Sequence, residues 1–127
     1  MKREIIHTDH APAAVGPYSQ AVKVGNMLFT AGQVPLSPES GKVVEGDVTV
    51  QTEQVMKNLQ SVLEAAGTSF ENVIKSTVFL TDMNNFGAMN GVYGRYFTQN
   101  PPARSAVQVA ALPLGVDVEI EMIALIE

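Results

Sequence analysis

The chain contains no cysteine. That absence removes thiolate nucleophiles, cysteine-ligated zinc, iron–sulfur clusters and disulfide staples from the chemistry open to it. Histidine is scarce as well, confined to the run His7-Thr8-Asp9-His10. With no third ligand in view, both histidines read as surface residues rather than a metal centre, and a Ser-His-Asp triad would have to borrow one of them. No G-x-G-x-x-G or P-loop pattern is present, so the common nucleotide-binding signals are missing. Concentrated positive charge is missing too: eight Lys and Arg are scattered against thirteen Asp and Glu, for a net charge of −5. Phosphate contacts supply most of a nucleic-acid binder's affinity, so this distribution argues against such a partner. No apolar run approaches the roughly 20 residues that cross a bilayer, and Met1 to His7 lack a signal peptide's apolar stretch. The expectation is a soluble, cytoplasmic protein.

What is present is a globular composition, 127 residues with 46% hydrophobic and 17% charged side chains. A chain of that size buries enough apolar surface to fold without staples, and one domain over residues 1–127 is expected. Val22 to Ala31 reads as a hairpin around Gly25-Asn26, and Pro35 to Gly46, rich in Pro and Gly, as a loop. From Asp47 the period becomes helical, with Val55, Leu59, Val62, Leu63 and Ala66 on one stripe and Gln54, Lys57, Gln60 and Glu64 facing away. Asp47 suits the N-cap and Gly67 the C′ position.

Val73 to Leu80, rich in β-branched residues, reads as a strand, after which Asp82 or Asn84 caps a second helix. That helix carries Phe86, Met89, Tyr93, Tyr96 and Phe97 on one face, together with Gly87, Gly91 and Gly94, whose cost would be offset by close packing against a neighbouring backbone. Asn100-Pro101-Pro102 stops it. Val116 to Ile126 alternates strictly: Val118, Ile120, Met122, Ala124 and Ile126 form a core face, while Asp117, Glu119, Glu121, Ile123 and Leu125 form the other. The second face begins acidic and ends apolar, which suggests cover by a partner subunit. The order ββαβαββ predicts an α+β domain, a single mixed β-sheet with two helices on one face.

Two residues stand out as candidate chemistry. Arg104 follows a rigid Pro pair, and its planar fork can hold a carboxylate in two-pronged fashion or simply bond a carbonyl or a surface acid. Glu119, mid-strand on the face expected to be covered, is either half of a structural ion pair or a working carboxylate.

The segment Pro102-Ala103-Arg104-Ser105-Ala106-Val107, then Leu112 and Val118-Glu119-Ile120, resembles the carboxy-terminal signature of the YjgF/Rid family. Ala11-Pro12-Ala13-Ala14-Val15-Gly16-Pro17-Tyr18-Ser19-Gln20 is similar to that family's opening motif, and Gly32-Gln33-Val34-Pro35 to its next one. The resemblance implies a chorismate mutase-like fold of the bacillus type, assembled as a homotrimer with a central barrel and clefts between subunits. It implies hydrolytic deamination of 2-iminobutanoate and 2-iminopropanoate, products of pyridoxal-phosphate dehydratases, to 2-keto acids and ammonia, without metal or organic cofactor. Arg104 would hold the substrate carboxylate, the Gly32 backbone would contact the substrate, Glu119 would orient or activate water, Tyr18 would line the cleft and donate a hydrogen bond, and Asn90 would stand at its edge. Two positions depart from the family pattern at the substrate site: Ala31 where deaminating members carry Ser, and Ala106 where many carry Cys. Those alanines favour the alternative of a keto- or amino-acid-binding regulatory trimer without turnover. The family's older label, endoribonuclease or translation inhibitor, is the third reading, and the acidic charge weighs against it.

Overall fold

A computed structural model of the chain describes residues 2–127. Six strands form one sheet in the order β1-β2-β3-β6-β4-β5. They are β1 (Arg3–Ile6), β2 (Ala21–Val24), β3 (Met27–Thr30), β4 (Val73–Leu80), β5 (Ala103–Gln108) and β6 (Val118–Leu125), with helices α1 (Val48–Ala65) and α2 (Phe86–Tyr96). Only β4 and β5 run parallel, which makes the sheet mixed. Parallel neighbours need a long crossover, and α2 supplies it.

The hairpin turns at Gly25, whose φ of +60° gives the two-residue loop the backbone of a tight turn, with Val24 opposite Met27. Helix α1 starts at Asp47, whose carboxylate accepts the amide of Val50 at 3.1 Å. It ends in a Schellman motif: the Thr68 amide donates to Leu63 and the Gly67 amide to Glu64, with Gly67 at φ +83°. Its inward stripe includes Val55, Met56, Leu59, Val62 and Leu63, all fully buried. These side chains meet Val118, Ile120, Met122 and Ala124 of β6, so both helices cover one face of the sheet.

Four details differ from the sequence reading. The sequence reading has no strand before Val22, but β1 pairs antiparallel with β2, Ile5 opposite Val22. A four-residue strand interrupted by charge is too short for periodicity to reveal. Asp117 lies outside the last strand, which begins at Val118, and its carboxylate accepts from Gln51 Nε2 at 3.0 Å. Asp82 caps the short 3-10 turn Met83–Asn85 that leads into α2, accepting from Asn84 N at 2.9 Å, and α2 itself has no side-chain cap. Finally, Gly87, Gly91 and Gly94 face open space, so within one chain no neighbouring backbone offsets their helical cost.

Among the described residues no helix covers the sheet's second face. Ile5, Phe29, Ile123 and Leu125 lie on it, with Ile5 52% and Phe29 44% exposed. No helix among the described residues is long and apolar enough to cross a membrane.

Candidate active site

Arg104 enters β5 directly after Pro101-Pro102 and lies opposite Ser76 of β4. Residues opposite one another across a ladder share a face, so Arg104 points to the helix side. There Asn90 Oδ1 accepts from its Nη1 at 2.7 Å. The guanidinium carbon sits 4.9 Å from the Tyr93 ring centroid and 5.4 Å from that of Phe86. Tyr93 is fixed in turn by a buried hydrogen bond of 2.6 Å between its hydroxyl and that of Ser76. Burial pushes the Tyr93 hydroxyl's pKa up, while the Ser76 bond and the charge of Arg104 pull it down less strongly. Among the described residues the one ion pair is His7–Asp9, so Arg104 has a pinned, stacked guanidinium and no carboxylate. A recess of about 450 Å³ opens beside it, between Asn90, Tyr93 and Pro102.

Glu119 occupies a second recess, of about 660 Å³, with Tyr18, Ala31 and Gly32. The stretch after β3 is drawn against β6 by reciprocal bonds between Gln33 and Ile120, at 2.8 and 3.2 Å. That bridge lays Gly32 on the Glu119 carboxyl group: a Cβ at Gly32 would fall 2.8 Å from Glu119 Cδ. Only glycine allows this approach. Burial raises the Glu119 pKa, with like charge from Glu121 adding to it. Among the described residues no cationic side chain lies within ion-pair distance of Glu119, so it is not half of a salt bridge there. The Tyr18 hydroxyl accepts from Val15 N at 3.4 Å, which leaves its own proton free to donate.

Gln20, a residue the sequence reading gave no separate role, holds this wall in place. It is 2% exposed; its side chain donates to the carbonyls of Thr8 at 3.0 Å and Pro12 at 2.9 Å and accepts from Thr8 N at 2.8 Å. Tyr93 and Phe86 were legible only as core aromatics, because nothing in a helical period marks which of them meets an Arg from a distant strand. The two histidines stand apart from both recesses: His7 pairs with Asp9 at 3.0 Å in an exposed position, and His10 borders an outer groove along α1.

Of the residues singled out, Arg104 and Asn90 come together, and Tyr18, Ala31, Gly32 and Glu119 come together, but the two groups do not meet. Glu119 lies opposite Phe79, which lies opposite Val107, so Glu119 shares a face with Val107 and not with Arg104. The strand alternation therefore places Arg104 and Glu119 on opposite faces of the sheet. Ala106 shares the helix-side face with Arg104 and packs partly buried against the core.

The model of the Endoribonuclease L-PSP family matches residues 8–126. Protein DfrA of Myxococcus xanthus is 56% identical over 126 residues, spanning 98% of this chain and 96% of that protein. The 2-iminobutanoate/2-iminopropanoate deaminase of Mus musculus is 54% identical over 122 residues, spanning 96% of this chain and 90% of the mouse protein. The crystal structure of E. coli TdcF with bound serine superposes with a TM-score of 0.93 at 44% identity, covering 98% of this chain and 99% of that one. Sequence and fold thus agree, and the chain belongs to the Endoribonuclease L-PSP family, which is the YjgF/Rid family.

Proposed function

We propose that the protein hydrolyses reactive 2-imino acids and their enamine tautomers to 2-keto acids and ammonia, in clefts built between copies of itself in a homotrimer. The observation that carries this reading is the setting of Arg104. Its guanidinium is pinned by Asn90, stacked on Tyr93 and left without a carboxylate, so its remaining N–H groups form a ready fork for a substrate carboxylate. Glu119 supplies a carboxylate without a cation, but on the other face of the sheet. A second copy lying on the open apolar face brings one copy's Arg104 to another's Glu119, as a cyclic assembly with one repeated contact does three times. Two relatives support the chemistry: the mouse protein is named for deaminating 2-iminobutanoate and 2-iminopropanoate, and TdcF holds serine, whose carboxylate is the group Arg104 would grip.

The C2 carbon of a protonated imine is already electrophilic, so the protein has to position it and place a water. Arg104 holds the carboxylate. Glu119 takes a proton from the water as its oxygen bonds to C2, giving a carbinolamine. The same carboxyl then returns that proton to the nitrogen, the C–N bond breaks, and ammonia leaves as the C2 hydroxyl becomes the keto oxygen. The hydroxyl proton passes to the regenerated Glu119 carboxylate and from there to the departing ammonia, which leaves as ammonium. The Gly32 backbone and the Tyr18 hydroxyl line the approach. Ala31 and Ala106 offer no hydroxyl or thiol, so the rate rests on Arg104 and Glu119.

The test couples the protein to a threonine dehydratase and follows 2-ketobutyrate. Formation faster than spontaneous hydrolysis supports the proposal, and a rate equal to that in buffer contradicts it. The family's description as endoribonuclease keeps RNA cleavage as the alternative. The net charge of −5 disfavours it, and salt-sensitive RNA binding by the purified protein would restore it.

A further inference from the structure

C2 of a 2-imino acid carries three substituents. In the proposed site the carboxylate belongs to Arg104 of a neighbouring copy, and the nitrogen and the attacking water belong to Glu119. The amino acid side chain must lie against what remains of the Glu119 recess, and that wall is hydrocarbon: Val15, Val34, Leu36, Pro113 and Leu114 line it. Two of these side chains are held in the open at a cost. Val15 is 85% and Leu114 69% exposed, the highest values among the exposed large hydrophobic residues. Leu114 also adopts φ +59°, a left-handed conformation in which Gly or Asn is far more comfortable than leucine. An exposed leucine kept at a strained backbone position beside a recess is better explained by what it touches than by stability.

We infer that Val15 and Leu114 are specificity-determining residues and that the cleft selects 2-imino acids with long apolar side chains, such as those formed from leucine, methionine or phenylalanine, over those with one- or two-carbon side chains. Ala31 extends the same apolar surface to the edge of Gly32. This inference rests on the deaminase reading and narrows its substrate class.

The experiment generates 2-imino acids in place with an amino-acid oxidase acting on alanine, 2-aminobutyrate, leucine and phenylalanine, and compares kcat/KM across the series. Each methylene buried should raise kcat/KM roughly four-fold, so the leucine-derived compound should exceed the alanine-derived one by roughly 50-fold. Leu114→Asn fits the left-handed backbone but removes the apolar contact, and it should collapse the leucine-to-alanine ratio by roughly ten-fold or more. Leu114→Met should retain most of the ratio. If the smallest imino acids are cleared best, or the ratio survives Leu114→Asn, the inference is overturned and the deaminase reading stands. If Leu114→Asn dissociates the assembly, Leu114 belongs to a subunit contact and the inference is likewise overturned. If no imino acid is cleared above its spontaneous rate, the deaminase reading itself fails and takes the inference with it.

Discussion

Replacing Arg104 removes three things the structure shows separately. The hydrogen bond to Asn90 at 2.7 Å and the stacking on Tyr93 and Phe86 orient the guanidinium, and two of its four remaining N–H groups are those proposed to grip the substrate. A charge-assisted bond is worth about 1.5–3 kcal/mol, so losing two costs about 3–6 kcal/mol of transition-state binding. At about 1.36 kcal/mol per decade that is a fall of roughly 10²–10⁴-fold in kcat/KM for Arg104→Ala. Arg104→Lys keeps the charge, but a lone ammonium cannot bond Asn90 and present a two-pronged fork at once, so it should leave only a small residual rate. The stability cost is separable and smaller: each cation–π contact contributes about 0.5–1 kcal/mol at a partly exposed site, so Arg104→Ala should lower Tm by a few degrees without unfolding the chain. The assay is 2-ketobutyrate formation behind a threonine dehydratase, with light scattering to confirm the assembly. An intact Arg104→Ala assembly that clears iminobutanoate at the wild-type rate refutes the anchoring role.

Glu119→Gln preserves shape while removing the proton acceptor, and it should lower turnover by roughly 10²–10⁴-fold with the assembly unchanged; an unaltered rate returns Glu119 to a structural part. Because burial and the nearby Glu121 raise the Glu119 pKa, and only the ionised form accepts a proton, kcat/KM should fall as pH drops through a value above the ordinary carboxylate range. Glu121→Gln removes a like charge and should move that acid limb to lower pH; a profile indifferent to Glu121 would argue that another group titrates. Gly32→Ala places a methyl group inside the Glu119 carboxyl and should displace it, lowering kcat more than thermal stability, whereas full activity would mean the close approach is dispensable. Leu125→Asp puts a charge on the open sheet face and should dissociate or unfold the assembly, since an unpaired charge buried there costs several kcal/mol; an equally stable trimer would show the face is uncovered.

Much of this architecture was legible from pattern. The helical stripe from Val55 to Leu63, its Asp47 cap and its Gly67 stop are local signals, and the structure keeps all three. The alternation from Val118 to Ala124 likewise identified the last strand and its two unlike faces, though not its place inside the sheet between β3 and β4. What failed was non-local. Strand β1 owes its existence to pairing with β2, and Asp117 is drawn from the strand by Gln51, 66 positions away. The chemistry divided in the same way. Arg104 and Glu119 could be picked out by residue type and motif, but sequence order does not say that they face opposite sides of one sheet. The aromatic seat under Arg104, the Gln20 clamp and the strained Leu114 depend on which side chains meet in space.

Mixed assemblies test the central claim most directly. Arg104→Ala and Glu119→Gln chains are each expected to be nearly inactive alone, because every cleft would lack one group. If each cleft takes Arg104 from one copy and Glu119 from the next, equal mixing of the two variants by co-expression rebuilds clefts in which both groups are native. Random assembly in a closed ring predicts recovery of about one quarter of the wild-type 2-iminobutanoate deaminase activity. Activity in the mixture no greater than the mean of the two variants alone would contradict a site shared between copies.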